Sequence, residues 1–421
     1  MGKVTVLTAN DIYRDGRGVA KLNGKICFVQ NLLIGERAEC EIVNEEKNYI
    51  EARAVKLIDI SPCRIAPDCP VYERCGGCDY RHTTYENELN MKLIALRGAY
   101  RRYGVTLPDD IRILASESER RNKATFHVNR SGAVELGFYD KGSHDFVNAE
   151  NCRIVSDNMK GIASRLCEWL KNNKCVADIS LRETSDGKEA SLLLEAKSFD
   201  FDVSSLKAAL EGSTVCSVGV RVGRRYRHLF GSEYITDTLC GNRLMISPGA
   251  FYQINPAQAG RAYMTALDFA DAKDSDILLD VYCGIGSIGL AAAKRVKEVY
   301  GIEIVKEAVD NANNNAALNG IQNARFFCAD AAAGLKALAD KGITPDIAVV
   351  DPPRAGLDGA CIGVLTDFGL KRIAYISCEP STQARDVKAF LDNGYTLERI
   401  CAVDFFKRTR HIESVVLLNK D

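Results

Sequence analysis

The segment Ile277-Leu-Leu-Asp-Val-Tyr-Cys-Gly-Ile-Gly-Ser-Ile-Gly289 is the part of the chain that most clearly indicates its fold. Its first half is an apolar run of strand length, and its second half is a glycine turn that leads into a predicted helix. Further strand-length runs follow at 298–303, 324–330 and 346–351, with a helical pattern over 305–319. Alternating β and α segments of this length predict an α/β fold with a doubly wound, mostly parallel sheet.

The next apolar run, Arg372-Ile-Ala-Tyr-Ile-Ser-Cys378, ends in a cysteine, and Pro380 prevents the strand from continuing. Cys378 is therefore expected at the carboxyl edge of the sheet, where open α/β sheets bind their ligands. Position alone does not make it a nucleophile, because most cysteines of reduced proteins are small buried apolar residues.

The glycine turn matches a dinucleotide fingerprint, Gly-x-Gly-x-x-Gly, and Glu303 lies where a ribose-binding acid would follow. This pattern fits NAD and S-adenosylmethionine equally, since glycines let the backbone approach either cofactor. Asp351-Pro-Pro-Arg354 separates the two, because it resembles the fourth motif of nucleic-acid methyltransferases. Enzymes of that kind that methylate amino groups usually carry an aromatic residue where Arg354 stands.

A cysteine at the end of the following strand suits methylation of carbon. C5 of uracil is a weak nucleophile, and addition of a thiolate at C6 converts the ring into an enolate with electron density at C5. A base must then remove the C5 proton, and Glu413, just before a final apolar run, is the candidate if burial raises its pKa. His411 is interpreted as a structural residue or a phosphate contact. Cytosine-5 methylation would use the same addition.

The bulk composition is that of a globular protein with two or three domains: 421 residues, 46% hydrophobic and 26% charged. No apolar leader or membrane-length stretch is present, so a cytoplasmic protein without a membrane partner is expected. In that compartment the sixteen cysteines are expected to be reduced and to serve metal ligation, catalysis or burial.

Although the net charge is only −1, basic residues cluster with aromatic ones in three places. Such clusters suit phosphate contact and base stacking, and three of them favour RNA binding over a merely solvated surface. The clusters are Arg120, Arg121, Lys123 and Arg130 with Phe126 and His127; Arg221, Arg224, Arg225, Arg227 and His228 with Tyr226 and Phe230; and Lys407, Arg408, Arg410 and His411.

Residues 1 to about 60 alternate apolar and polar residues in short runs separated by turn signals. Asn23-Gly24 between two such runs predicts a hairpin. Five or so short strands predict a small barrel of the oligonucleotide-binding (OB) type, ending at Ser61-Pro62. A helix over 85–103 and a strand-rich region over 111–245 follow.

A cysteine-rich segment follows the predicted barrel. Cys69, Cys75 and Cys78 place three thiols around a tight glycine turn that suits a metal ion or cluster. Zinc and an iron-sulfur cluster both accept four thiolates, so spacing does not identify the metal. Cys63 is the nearest candidate for a fourth ligand. A redox pair of Cys75 and Cys78 is the alternative.

Taken together, these motifs resemble the RNA uracil-5-methyltransferase family, and within it the 23S ribosomal RNA branch. The resemblance covers essentially the whole chain. The matching segments, in order, are Phe251-Tyr-Gln253-Ile-Asn255, Asp280-x-Tyr282-Cys-Gly-x-Gly286, Glu303, Asp330, Asp351-Pro-Pro-Arg354-x-Gly356, Ser377-Cys378-Glu-Pro380 and His411-x-Glu413.

The resemblance implies a Rossmann-like class I methyltransferase that modifies 23S ribosomal RNA, with Cys378 as nucleophile and Glu413 as base. It implies a [4Fe-4S] cluster on Cys69, Cys75, Cys78 and Cys152, with Cys63 as a competing ligand. It also implies S-adenosylmethionine contacts from Gln253, Tyr282, Ser287, Glu303, Asp330 and Asp351. No obligate protein partner is implied.

The expected domains are a TRAM-type OB barrel over 1–61, a central iron-sulfur and RNA-binding domain over 62–84 and 113–250, and a methyltransferase domain over 85–112 and 251–421. The transfer RNA branch is expected to match only the catalytic part. Other hypotheses are transfer RNA uracil-5 methylation, RNA cytosine-5 methylation, a non-catalytic RNA-binding iron-sulfur protein and an NAD-dependent oxidoreductase.

Overall fold

The computed structural model describes residues 4–420; residues 1–3 and 421, which the predicted first and last domains include, lie outside this range. The chain begins with a six-stranded sheet of order β1-β5-β6-β4-β3-β2. Its strands are β1 (Val4–Thr8), β2 (Asp11–Ile12), β3 (Gly18–Leu22), β4 (Lys25–Gln30), β5 (Arg37–Glu45) and β6 (Tyr49–Asp59). The predicted hairpin is confirmed, since β3 and β4 pair antiparallel across Asn23-Gly24, both at positive φ.

The expected closed barrel is not seen. Among the described residues, β1 and β2 form the two edges of this sheet and do not pair with each other. Alternation and turn signals predicted the short strands, but they carry no information on whether the edge strands meet. One face of the sheet packs a small core that includes Cys27, Val29 and Cys40.

Helix α1 (Tyr85–Arg101) and strand β7 (Arg112–Leu114) follow, and then a seven-stranded sheet of order β10-β9-β8-β11-β12-β13-β14. Two helices with side-chain N-caps, Ser156 and Asp202, contribute buried residues to the core of this sheet. The elements are β8 (Lys123–Asn129), β9 (Glu135–Tyr139), β10 (Phe146–Asn148), α2 (Asp157–Asn172), β11 (Val176–Glu183), β12 (Ala190–Ala196), α3 (Val203–Leu210), β13 (Val215–Val222) and β14 (Arg225–Gly231).

The rest of the chain forms a hairpin and a large α/β unit. Its elements are β15 (Ile235–Leu239), β16 (Asn242–Ile246), α4 (Pro256–Phe269), β17 (Ile277–Val281), α5 (Ser287–Ala292), β18 (Glu298–Glu303), α6 (Lys306–Leu318), β19 (Ala324–Cys328), α7 (Ala331–Asp340), β20 (Ile347–Val350), α8 (Gly359–Asp367), β21 (Arg372–Ser377), α9 (Pro380–Asp392), β22 (Thr396–Val403) and β23 (Glu413–Asn419).

The doubly wound, mostly parallel sheet is confirmed. Its order is β19-β18-β17-β20-β21-β23-β22-β7, and β19 to β21 run parallel. β23 is antiparallel to both of its neighbours. The strand order reverses between β17 and β20, so the loops after these two strands flank the crevice in which such folds bind ligands.

Two distant segments complete this unit. Helix α1 packs on α9, where the Tyr100 hydroxyl donates to Gln383 Oε1 at 2.8 Å, and β7 pairs with β22 at the sheet edge. The β15–β16 hairpin packs its apolar residues into the core beside α4 and α5.

Within residues 4–420, no helix combines the length and apolarity needed to cross a membrane.

Candidate active site

Cys378 and Glu413 lie at the ends of two neighbouring strands. The antiparallel pairing of β21 and β23 ends at Ser377 opposite Ser414, so Cys378 and Glu413 occupy the next cross-strand position. Such cross-strand neighbours have Cβ atoms about 5 Å apart. Cys378 is half-buried and Glu413 is buried. The structure therefore brings the predicted nucleophile and base together.

Burial and charge set the protonation of this pair. Burial raises the pKa of Cys378 to about 11; Glu413 and Asp351 add to this rise, and Arg354 opposes it. Burial also raises the pKa of Glu413 well above its usual range, with Asp351 adding and Arg354 opposing. Cys378 therefore holds its proton at neutral pH in the free protein, Glu413 binds a proton more readily than an exposed carboxylate does, and Arg354 is the cation that favours the thiolate.

The glycine turn after β17 adopts the backbone that its sequence predicts. Gly286 has φ +84°, and a Cβ there would lie 3.0 Å from Phe326 Cζ and 3.1 Å from Ala312 Cβ. Glu303 accepts hydrogen bonds from the backbone N–H of Gly284 at 3.2 Å and of Val305 at 2.9 Å. The turn and the acid of the next strand thus form one hydrogen-bonded unit.

Under this turn lies a buried carboxylate. Asp280 Oδ2 accepts from the Gly289 N–H at 2.7 Å, whereas Oδ1 has no hydrogen-bond partner among the described residues. Burial raises the pKa of Asp280 to about 7. The glycine cradle, the Glu303 carboxylate and this unpaired oxygen fit a polar, positively charged cofactor such as S-adenosylmethionine.

The other predicted cofactor residues end up at the same edge of the sheet. Tyr282 continues from β17 with φ +69°, and Ser287 begins α5. Asp330 caps α7 by accepting from the N–H groups of Ala332 and Ala333. Asp351 follows β20, and burial raises its pKa to about 7.

Gln253 leads to a residue that sequence reasoning missed. Its side chain hydrogen-bonds the hydroxyl of Tyr263, a buried residue of α4. Burial raises the pKa of Tyr263 well above its usual range, with Asp351, Glu413 and Asp280 adding to the rise. Tyr263 therefore lies among the predicted cofactor and catalytic groups. Its helical spacing is that of an ordinary core residue, so no sequence signal distinguishes it.

The four cysteines expected to bind a cluster line one small cavity of about 30 Å³: Cys69, Cys75, Cys78 and Cys152. Two donors point at its sulfurs, the Gly77 N–H toward Cys75 at 3.4 Å and Arg81 Nε toward Cys78 at 3.3 Å. Cys63 does not line this cavity. Within the described range, no three His, Cys, Asp or Glu side chains are arranged to hold a metal ion.

A cleft of about 710 Å³ opens in front of Cys378. One wall includes Cys378, Arg354, Arg410 and His411, and the other comes from the N-terminal sheet, with Tyr13, Arg14, Arg17, Phe28 and Tyr49. His411 is an uncharged member of this wall at neutral pH, because burial lowers its pKa to about 4. No local sequence pattern indicates that these two walls face each other.

The three basic clusters differ in how far ion pairs and burial occupy their side chains. Arg221 pairs with Glu195 at 2.8 Å, and burial lowers the pKa of Lys123 to about 8. Arg121 is placed over the ring of Phe406. Of the three, the cluster at 407–411 contributes directly to the cleft in front of Cys378.

A doubly wound sheet with a glycine cradle at its strand-order reversal is common to dinucleotide-binding proteins and class I methyltransferases. The tRNA (uracil-5-)-methyltransferase family model matches residues 84–421, and the TRAM domain model matches residues 3–55. The chain therefore belongs to this family of S-adenosylmethionine-dependent RNA uracil-5-methyltransferases, and it carries a TRAM domain.

Relatives of similar length support this membership. An RNA methyltransferase of Bacillus cereus is 34% identical over 97% of this chain and 95% of its own length. An RNA methyltransferase of Halalkalibacterium halodurans is 32% identical over 99% of this chain and 96% of its own length.

A solved structure shares the whole fold. The tRNA (uracil-54, C5)-methyltransferase of Pyrococcus abyssi, in complex with S-adenosyl-L-homocysteine, superposes with a TM-score of 0.75 at 24% identity over 98% of both chains. The expectation that transfer RNA enzymes match only the catalytic part of this chain is therefore wrong.

Proposed function

We propose that this protein methylates C5 of a uridine in 23S ribosomal RNA, with Cys378 adding to C6 of the base and Glu413 removing the C5 proton. The observation that carries the proposal is the position of Cys378 opposite Glu413, beside Asp351 and Arg354, at the edge of the sheet that bears the glycine cradle. A thiol and a buried carboxyl on adjacent strands supply the two groups that this chemistry needs.

The reaction assigns a separate task to each residue. The Cys378 thiolate forms a bond to C6, and the C5=C6 electron pair moves toward C5 and O4. S-adenosylmethionine, when bound, would supply the electrophilic methyl group to C5, and its methyl–sulfur bond would break to leave S-adenosylhomocysteine. Glu413 accepts the C5 proton, the C5=C6 bond re-forms, and Cys378 leaves as a thiolate. The raised pKa of Glu413 makes its carboxylate, once formed, a stronger base than an exposed one.

The cofactor would be held by Gln253, Tyr282, Ser287, Glu303, Asp330 and Asp351. Support comes from their shared location at the carboxyl edge of β17 to β20 and from the close approach that Gly286 permits. Asp351 is near Cys378 and Glu413 as well, so it can orient the target base beside the cofactor. The proposed domains are residues 1–61, then 62–84 with 113–250, and 85–112 with 251–421.

We also propose that Cys69, Cys75, Cys78 and Cys152 hold a [4Fe-4S] cluster. Their shared cavity and the two donors to sulfur support this assignment, because hydrogen bonds to thiolates are typical of such sites. Four thiolates saturate a cluster, so its role would be structural. Iron and sulfide analysis of anaerobically purified protein tests it: Cys75→Ser should lose both, and Cys63→Ser should retain them. Stoichiometric zinc without sulfide would contradict it.

The RNA class is the part of the proposal that most needs a direct test. Motif resemblance supports 23S ribosomal RNA, and the full-length match to a transfer RNA enzyme favours a transfer RNA uridine as the second candidate. Mapping 5-methyluridine in ribosomal and transfer RNA from cells with and without the gene distinguishes them. We expect one 23S position to lose its methyl group. Loss confined to transfer RNA would replace the ribosomal assignment, and 5-methylcytidine loss would replace uridine.

A further inference from the structure

We propose that Tyr13, Phe28 and Tyr49, which we call the ring face, form a stacking site for unpaired nucleotides next to the target uridine. The inference rests on the proposed function for the position of the reacting base. It adds a binding surface on the N-terminal sheet, on the wall of the cleft opposite Cys378.

The three rings form a continuous row. The ring centroids of Tyr13 and Phe28 are 4.5 Å apart, and those of Phe28 and Tyr49 are 5.8 Å apart. On β4, Cys27 and Val29 point into the core, so Phe28 between them points outward. The rings therefore belong to the face of the sheet that the core leaves free, and Tyr49 is 36% exposed.

Three arginines lie against this row, Arg17 on Phe28 and both Arg14 and Arg102 on Tyr13. The guanidinium carbon of Arg17 lies 4.9 Å from the centroid of the Phe28 ring, and that of Arg14 lies 5.7 Å from the Tyr13 ring. Arg17 is held by Asp15 and Glu51, each at less than 3 Å, whereas Arg14 makes no ion pair within residues 4–420. Arg14 is thus a cation available for a phosphate beside the rings.

Net positive charge alone does not explain how this cleft would bind RNA. The cleft is lined by four arginines and three acidic residues, so its net positive charge is small. They are Arg14, Arg17, Arg354 and Arg410, and Asp15, Glu51 and Glu379. The three adjacent rings are tilted, with 42° between Tyr13 and Phe28 and 57° between Phe28 and Tyr49, so they offer faces and edges in a nearly neutral cleft. Such a surface favours bases that expose their π-faces, as unpaired nucleotides do. A single strand whose uridine reaches Cys378 would cross the ring face, because both line the same cleft.

The test measures binding of a fluorescein-labelled, twelve-nucleotide oligouridine by fluorescence anisotropy at one fixed salt concentration. Tyr13→Leu, Phe28→Leu and Tyr49→Leu keep apolar bulk and remove the ring. We expect each to weaken binding about fivefold or more and the triple variant about a hundredfold, as loss of base stacking predicts. Tyr234→Leu, a ring of 40% exposure outside the cleft, is the matched control and should not change the Kd.

Thermal unfolding of each variant establishes that it is folded; if the triple variant is not, the three single variants decide. An unchanged Kd in folded variants would overturn the proposal, as would an equal loss for Tyr234→Leu. A double-stranded probe should not distinguish the variants from the parent protein, and a matching loss with duplex would also overturn it.

The binding assay involves no methyl transfer, so it is independent of the proposed reaction. With RNA from cells lacking the gene, the ring-face variants should raise the RNA concentration for half-maximal methylation by the factor seen in binding. If the parent protein binds the probe through these rings but transfers no methyl group, the proposed reaction fails and the stacking site stands.

Discussion

Cys378 and Glu413 face each other one residue beyond the last paired residues of β21 and β23. Because β23 inserts antiparallel between β21 and β22, its first residue lies at the same sheet edge as the last residue of β21. This topology puts a thiol and a carboxyl on the same side of a bound base. They can act in sequence, the thiol before methyl transfer and the carboxyl after it.

The first prediction separates these two roles. With RNA that contains 5-fluorouridine, Cys378→Ala should form no covalent complex, because among the described residues Cys378 supplies the thiol that lines the cleft. On normal RNA, Glu413→Gln should form the adduct and release it at least about a hundredfold more slowly, in the range that general bases contribute. Denaturing gel electrophoresis with labelled RNA measures both. A surviving adduct in Cys378→Ala removes it from the mechanism, and normal turnover of Glu413→Gln shows that another base acts.

A second prediction concerns the charge of Arg354. Arg354 lowers the pKa of Cys378, which burial has raised to about 11. Arg354→Gln should raise that pKa further, so less thiolate exists at any pH below it. At saturating RNA, adduct formation should become about three- to tenfold slower at pH 8, and the rise of its rate with pH should move to higher pH. Arg354→Lys keeps the charge and should retain most of the rate. Superimposable pH profiles of adduct formation for Arg354→Gln and the parent protein would contradict this role.

The sequence predicted those parts of the molecule that local patterns specify. Strand-length apolar runs and the glycine turn were sufficient for the sheet from β17 to β21, and Pro380 for the position of Cys378. Pairing between distant segments was not predictable, because it depends on packing rather than on a local period. The β7–β22 pair and the failure of the N-terminal sheet to close belong to this class.

The same distinction applies to the site. Motif residues at strand ends were predictable, whereas Tyr263 was not, since an aromatic residue on a buried helix face has no distinctive pattern. The position of Tyr13 and Phe28 opposite Cys378 was also not predictable, because nearly the full length of the chain separates them from Cys378 in sequence.

A third prediction concerns the loop before Glu413. Asp79, beside the cysteine cavity, accepts from the Arg410 backbone N–H at 3.0 Å and from its Nη1 at 3.1 Å. The Asp79 N–H in turn donates to the Arg408 carbonyl at 2.8 Å. Asp79 is therefore expected to be a positioning residue for Glu413. Asp79→Ala should leave adduct formation near normal and slow adduct release severalfold.

The double-mutant cycle with Arg410→Ala provides the control. If the two residues act through their mutual contact, the release rate of the double variant should equal that of the slower single variant rather than the product of both effects. Fully multiplicative effects, or unchanged release in Asp79→Ala, would contradict positioning through this contact.

A fourth prediction tests the glycine cradle. At Gly286, an added Cβ meets positive φ and two close neighbours, Phe326 and Ala312. Gly286→Ala should destabilise the fold by about 1–2 kcal/mol and weaken S-adenosylmethionine binding at least tenfold. Urea unfolding and calorimetric titration measure these effects. Gly363→Ala in α8 is the control: apart from its chain neighbours and its own helix backbone, no described atom lies within 4 Å of its added Cβ, so it should stabilise by about 0.5–1 kcal/mol. Parent-like binding by Gly286→Ala would show that the cofactor lies elsewhere.

The last prediction concerns a buried charge cluster that joins α1 to the loop after β22. Lys92 Nζ donates to Glu88 Oε1 at 2.7 Å, to Asp404 Oδ1 at 2.6 Å and to the Phe406 carbonyl at 3.2 Å, and all three charged side chains are fully buried. Lys92→Met removes the cation that Glu88 and Asp404 share and leaves Glu88 with Arg408 at 3.6 Å, which should cost about 3–5 kcal/mol of unfolding free energy. Lys388→Met, which breaks the exposed pair with Asp392, should cost less than about 1 kcal/mol.

The pH dependence of this loss has a defined sign. Burial raises the pKa of Glu88 to about 7, and Lys92 opposes that rise, so its removal raises the pKa further. A carboxyl whose pKa is higher in the folded state binds more protons there than in the unfolded chain, and acid therefore favours the folded state. The deficit of Lys92→Met relative to the parent protein should be larger at pH 8 than at pH 5 in urea unfolding. A deficit that grows toward acid pH would show that an uncompensated charge on Glu88 is not its cause.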